Sequence, residues 1–188
     1  MRITGGLLRS RRIDAPAGDR TRPTSDRVRE ALFSVLGNLV EFDGAHVVDA
    51  FAGSGSLAFE ALSRGAGHAT LLEEGRSALA CIEANARNLG VREQVTVVAG
   101  DAERTLARVK GNPVRVLFAD PPYDLVETPA FARFLTTAGT AFAWEHEGLV
   151  VVEHRKGDRV PAVPAFEDEA LRTWGDTSVW LGRIVSSA

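Results

Sequence analysis

The sequence predicts an α/β fold, in which a largely parallel sheet carries helices on both faces. Three observations lead there. From residue 45 onward, short apolar runs of strand character alternate with helical patterns, the rhythm of a parallel sheet covered on both sides. Glycine, acid or proline punctuation follows each of the first four strand-like runs. The length of 188 residues, 45% hydrophobic and 25% charged, suits one compact domain rather than a disordered or fibrous chain.

Taken in order, residues 1–23 read as extended or hairpin-like, with Gly5-Gly6 and Pro16-Ala17-Gly18-Asp19 as turn signals. A helix follows Pro23, capped by Thr24 or Ser25. Val28, Ala31, Leu32, Val35 and Leu36 line one face of it, and Gly37 ends it. Residues 45–51 form a buried first strand, 56–64 a helix closed by Gly65, and 68–73 a second strand. The helix over 76–89 places Leu79, Ile82, Ala86 and Leu89 together, with Gly90 after it. A third strand at 95–99, a short helix over 102–110 and a fourth strand at 114–120 come next. A helix near 128–138, a fifth strand at 148–153 and a hairpin of strands 168–174 and 178–185 complete the chain.

Composition excludes several classes. A single cysteine, Cys81, rules out a disulfide framework and a cysteine zinc site, and no metal is expected. No apolar run approaches the roughly 18–20 residues that span a bilayer, so no membrane association is expected. The start of the chain lacks the apolar stretch of a secretory signal, and a cytoplasmic location is expected. Charge is unevenly spread. Residues 1–40 hold eight arginines against Asp14, Asp19, Asp26 and Glu30, while the remainder is acidic. Arginine's planar fork suits phosphates, so the basic arm suggests an anionic partner.

In a parallel sheet, ligands bind beyond the carboxyl ends of the strands. The unusual residues fall there. Asp49-Ala50-Phe51-Ala52-Gly53-Ser54-Gly55-Ser56 joins the first strand to its helix; its glycines admit a ligand close to backbone and the helix start offers free N–H groups. The bulky Phe59 and Glu60 after Ala58 depart from a nicotinamide fingerprint, as does the acidic Asp49, whose carboxylate favours a ligand carrying an ammonium group. Glu73, 20 residues after Gly53, can accept both hydroxyls of a ribose. Gly100-Asp101-Ala102 offers a carboxylate to an adenine amine, or simply a helix cap. Asp120-Pro121-Pro122-Tyr123 is the most telling. Asp120 and a proline-braced carbonyl could accept both hydrogens of an exocyclic amine, and Tyr123 supplies a stacking face.

These residues resemble the class I S-adenosylmethionine-dependent methyltransferases that act on planar amino groups. The whole chain is more closely similar to the bacterial small-subunit rRNA guanine-N2 methyltransferases of the RsmD type. The resemblance runs through Arg2-Ile3-Thr4-Gly5-Gly6, Arg9-Ser10-Arg11-Arg12 and Thr21 to Phe33, then Asp49 to Arg64, Asp120 to Tyr123 and the final hairpin; the stretch from Arg22 to Glu30 is far more specific than the rest. It implies a Rossmann-like sheet of order 3-2-1-4-5-7-6 with strand seven antiparallel. Residues 1–37 would be a basic hairpin-and-helix extension and 38–188 the catalytic domain. It implies methylation of N2 of guanine 966 (rRNA numbering) in 16S rRNA, during or after assembly of the small subunit; the expected partner is 16S rRNA within a small-subunit particle, and a monomer is expected. Asp49, Phe51, Gly53 and Gly55 would border the methionine part of S-adenosylmethionine, Glu73 the ribose, and Asp101 with Ala102 the adenine. Asp120, Pro121, Pro122 and Tyr123 would hold the target base. Arg2, Arg9, Arg11, Arg12, Arg20 and Arg22 would contact RNA, whereas Arg27 and Arg29 would face the cofactor pocket. Two positions depart from the family pattern: Ser10 stands where glycine is expected, and Gly75 where an acid often follows the ribose carboxylate.

The chemistry that follows is direct methyl transfer, with no metal and no covalent enzyme intermediate. Other readings of the same residues are a DNA or other RNA amine methyltransferase, for which 188 residues leave little room for a recognition domain, and a protein-glutamine methyltransferase, which would favour asparagine over Asp120. A nicotinamide oxidoreductase explains Glu73 but not Asp120 to Tyr123, and a non-catalytic RNA-binding assembly factor explains the arm alone.

Overall fold

The computed structural model describes residues 1–16 and 25–185. After an N-terminal arm come α1 (Asp26–Leu36), β1 (His46–Ala50), α2 (Ser56–Ser63), β2 (His68–Glu73), α3 (Arg76–Leu89) and β3 (Val95–Ala99). They are followed by α4 (Ala102–Thr105), β4 (Val114–Ala119), α5 (Pro129–Ala138), β5 (Trp144–Arg155), β6 (Phe166–Trp174) and β7 (Thr177–Ile184). The seven strands form one sheet of order β3-β2-β1-β4-β5-β7-β6. β1 to β5 pair in parallel, and β7 runs antiparallel to both β5 and β6. The strand order and the direction of strand seven match those the resemblance implies.

Because successive strand residues point to opposite faces, neighbouring valines serve two cores. Val47, Leu71, Phe118 and Val151 pack under α1, α2 and α3, whereas Val48, Leu72, Leu117 and Val152 pack under α5 and the segment holding Leu106. This double burial is why Val47-Val48 in β1 and Val116-Leu117-Phe118-Ala119 in β4 are consecutive apolar residues. Ser25 caps α1 by accepting the Val28 N–H, as one of the two predicted caps.

The arm is a hairpin laid on the body. Arg2 bridges Arg12 antiparallel, and the Ile3 N–H donates to the Arg11 carbonyl at 3.0 Å. Ile3 and Ile13 are buried in the same apolar cluster as Leu32, Phe33 and Val47. Ser10 sits at φ +69°, so the position where glycine was expected does have a backbone that favours glycine. The Pro16-to-Asp19 turn signal, beyond Pro16 itself, and Arg20, Arg22, Pro23 and Thr24 lie outside the described residues.

Two elements differ from their sequence reading. The α-helix expected over 102–110 stops at Thr105 and gives way to a tighter turn over Leu106–Arg108. Thr105 bonds its hydroxyl back to the Asp101 carbonyl at 2.8 Å, a side-chain alternative that competes with helix propagation. β5 begins at Trp144 rather than 148. Glu147 at φ +60° and a register shift opposite Val114 and Val116 mark a bulge, which hid the polar first half of the strand from alternation rules.

Candidate active site

The carboxyl ends of β1 to β4 open into one cavity of about 610 Å³. Its lining includes Asp49, Phe51, Gly53, Glu73, Asp101, Ala102, Asp120, Pro121, Pro122 and Tyr123. Residues spread over more than seventy positions of sequence are thus brought together by the sheet, at the point where β1 pairs β2 on one side and β4 on the other.

The β1–β2 half is built from backbone. After Ala50 the chain turns sharply, with Phe51 at φ +60° and Gly53 at φ +55°. A left-handed conformation costs a bulky residue about 1–3 kcal/mol, a strain that the surrounding contacts must hold. The Phe51 ring lies edge-on to Phe134, 5.3 Å between centroids. A Cβ on Gly53 would meet nothing nearer than 4.0 Å, because it would project into open space. Its N–H donates to Glu73 Oε2 at 2.8 Å. Glu73 Oε1 accepts two further backbone N–H groups, from Glu74 at 2.9 Å and Gly75 at 2.7 Å. Three donors therefore fix this carboxylate at the end of β2. Gly75, the second departure from the family pattern, supplies one of them. A Cβ there would stand 3.1 Å from Glu73 Oε1, so the glycine leaves the acid room.

Asp49 is buried, and its Oδ2 accepts the Ala58 N–H at 3.0 Å. Since Gly55 caps α2 without a side chain, Asp49 satisfies a first-turn donor of that helix from a distance. Burial pushes its pKa up to about 8; the Ala58 hydrogen bond opposes this and the Glu73 charge adds to it. Asp101 caps α4 by accepting the Arg104 N–H at 3.0 Å while also lining the cavity. Gly55, expected to border a ligand, does not line the cavity. At φ +79°, a Cβ on it would collide with Phe59 at 2.6 Å and Leu71 at 2.9 Å, so this glycine serves helix-to-sheet packing.

The β4 half is built from side chains. Pro121 is buried, Asp120 half-buried, and Tyr123 36% exposed. The Leu125 N–H donates to the Pro122 carbonyl at 2.8 Å, closing the turn. Burial and the Glu153 carboxylate raise the Tyr123 phenol above its ordinary range, opposed by a hydrogen bond with the Thr177 side chain. The Arg155 guanidinium lies over the Tyr123 ring, 5.2 Å from its centroid. Glu153, Arg155 and Thr177 escaped sequence reasoning. The one signal for Glu153 is an acid at the carboxyl end of the predicted fifth strand, one residue beyond the pairing of Val152 with Ala119.

Arg27 and Arg29 do not line the cavity. Arg27 is exposed, whereas Arg29 is fully buried. Its Nε donates to Glu60 Oε1 at 3.0 Å and its other end reaches the Arg2 carbonyl and Asp26. A buried arginine needs such pairing, and here it ties arm, α1 and α2 together. Met1 and Pro16, the two ends of the described arm, border the cavity. Arg2, Arg9, Arg11 and Arg12 are exposed, but Arg11 already donates to the carbonyls of Asn88 and Leu89 at the end of α3. Among the described residues no His, Cys, Asp and Glu cluster could hold a metal, and no helix is long and apolar enough to cross a membrane.

Comparison with known proteins now bears on this geometry. A family described as conserved hypothetical protein 95 matches residues 1–183. Ribosomal RNA small subunit methyltransferase D of Escherichia coli (strain K12) is 37% identical over 166 residues, covering 88% of this chain and 80% of its own. The chain belongs to this RsmD-type rRNA methyltransferase family. The YlbH protein of Bacillus subtilis (strain 168), provisionally named an rRNA methyltransferase, is 36% identical across 94% of this chain and 93% of its own. The solved structure of the Escherichia coli protein yhhF, provisionally described as a methyltransferase, superposes with a TM-score of 0.82 at 33% identity, covering 98% and 97% of the two chains. Membership places the chain among S-adenosylmethionine-dependent rRNA methyltransferases with the class I, Rossmann-like fold. The residues fit that cofactor: a fixed carboxylate at the end of β2, a glycine opening onto the cavity and a buried acid beside it.

Proposed function

We propose that this protein methylates N2 of guanine 966 (rRNA numbering) in 16S rRNA, acting in the cytoplasm as a monomer on a small-subunit particle. The observation that carries the reading is that Asp120 to Tyr123 line the same cavity as Asp49, Gly53 and Glu73. Cofactor and nucleobase groups are thereby offered to one another. When bound, S-adenosylmethionine supplies a methyl group made electrophilic by its sulfonium.

Glu73 would accept the ribose hydroxyls, Asp101 and Ala102 would meet the adenine, and Asp49, Phe51 and Gly53 would border the methionine portion. Ionised Asp49 matches the cationic end of that ligand. On the opposite wall, the Asp120 carboxylate would accept one N–H of the guanine amine. The Pro122 carbonyl already receives the Leu125 N–H, so the neighbouring Pro121 carbonyl is the better second acceptor. Together these acceptors would draw the nitrogen lone pair out of conjugation and toward the cofactor. Tyr123 would stack on the base, offsetting part of the cost of unstacking it by about 1–3 kcal/mol. Holding both reactants in line replaces much of the entropy cost of their encounter. Arg2, Arg9, Arg12, Arg20 and Arg22 would meet phosphates, with Arg11 bracing the arm beside them.

Mass mapping of 16S rRNA from cells lacking the protein tests this reading. The expected result is an unmethylated guanine at that position, restored by adding protein and S-adenosylmethionine. A guanine already methylated in those cells would overturn it.

A further inference from the structure

The ring expected to stack on the target base is itself held by a pair of residues from the far side of the sheet. Arg155 ends β5 and stands directly opposite Thr177, the first residue of β7, in the antiparallel register. The Arg155 guanidinium lies 5.2 Å from the Tyr123 ring centroid, and the Thr177 side chain acts on the Tyr123 phenol to lower its pKa. The guanidinium thus covers one face of the ring. Neither residue is among those bordering the cavity, whereas Tyr123 is. The turn at Pro121-Pro122 stiffens backbone but leaves the tyrosine side chain free to rotate about its first two bonds. An exposed aromatic that must meet a base face-on needs something further to select its rotamer.

We propose that Arg155 and Thr177 are positioning residues that clamp Tyr123, the guanidinium occupying one face of the ring and leaving the other for the nucleobase. The proposal deepens the functional reading above and rests on it for the identity of that base. Its physical basis is the ring quadrupole, which attracts the cation to one face. With Thr177 anchoring the hydroxyl, rotamers that would turn the ring edge toward the base are disfavoured. Glu153 and Asp120 also act on the phenol, and both raise its pKa, whereas Arg155 and Thr177 lower it. Removing either clamp residue should therefore shift phenol ionisation upward.

Tyr123 is the single tyrosine of the chain, so its signals can be read without interference. Full-length protein with ring-labelled tyrosine is compared as wild type, Arg155→Ala, Arg155→Lys and Thr177→Val. Nuclear magnetic resonance reports the ring environment, and phenolate absorbance reports its titration. Both alanine and valine variants should move the ring resonances and raise the phenol titration, with lysine largely restoring the Arg155 signals. In methylation of small-subunit particles from cells lacking the protein, Arg155→Ala should lower kcat about two- to fivefold, the scale of an exposed cation–π contact. A double-mutant cycle then separates positioning from a phosphate contact: in a Tyr123→Leu background, Arg155→Ala should have no further effect. Unchanged ring signals in both variants would overturn the clamp. So would an equal loss in the Tyr123→Leu background, which would make Arg155 a direct RNA contact. If wild-type protein does not methylate these particles while the ring signals respond as expected, the functional reading fails and the clamp stands.

Discussion

The two walls of the cavity are built on different principles. On the β1–β2 wall, Glu73 is gripped by three backbone N–H groups and Asp49 by a fourth, while Phe51 is strained into a left-handed turn. On the β4 wall, Tyr123 is 36% exposed, with the Arg155 guanidinium over its ring. The first wall is organised before any ligand arrives; the second keeps a surface that a large partner can reach. That difference suits a small cofactor bound deeply and a nucleobase delivered from a macromolecule.

The largest expected effect breaks the second wall and spares the first. Asp120→Ala should lower methylation by at least about a hundredfold, the scale of losing one well-placed transition-state acceptor, with S-adenosylmethionine affinity nearly unchanged. Turnover retained in single-turnover assays would remove Asp120 from the chemistry.

Asp49 sharpens the contrast through pH. Its pKa near 8 in the fold lies above the ordinary carboxylate range, so the native state holds a proton that the unfolded chain gives up. Without cofactor, this contribution to stability is present in acid and is lost as pH rises through about 8. A cationic ligand favours the ionised form. Cofactor binding should therefore release up to about one proton at neutral pH, and affinity should rise with pH by up to about tenfold per unit until 8. Calorimetry in buffers of different ionisation enthalpy measures the release; Asp49→Asn should abolish it.

A smaller effect distinguishes the arm's arginines. Arg12→Ala should weaken RNA binding and reduce the slope of log affinity against log salt by about one, as expected for one phosphate contact. Arg11→Ala should cost mainly stability, because its donors already serve the end of α3. Equal salt slopes for wild type and Arg12→Ala would place the RNA elsewhere. The smallest change concerns Ser10. With φ +69° already left-handed, Ser10→Gly should stabilise the fold by about 0.5–1 kcal/mol in urea denaturation. A loss of stability would mean that the serine side chain contributes more than its backbone costs.

The sequence by itself determined the order of elements, the placement of the acids at strand ends and the Asp120 to Tyr123 turn, because periodicity, glycine and proline act over a few neighbouring residues. Strand alternation even located the cavity, since a parallel sheet leaves only one edge where those ends converge. Other matters were decided in three dimensions. Gly55 proved to be a packing glycine, because Phe59 and Leu71 close on it from α2 and β2. Arg29 became the buried link to Glu60, 31 positions away in sequence. Arg155 reached Tyr123 only because β5 lies beside β4 and β7 beside β5. Such pairings depend on contacts between distant segments, and no local pattern of residues encodes which distant segment will arrive.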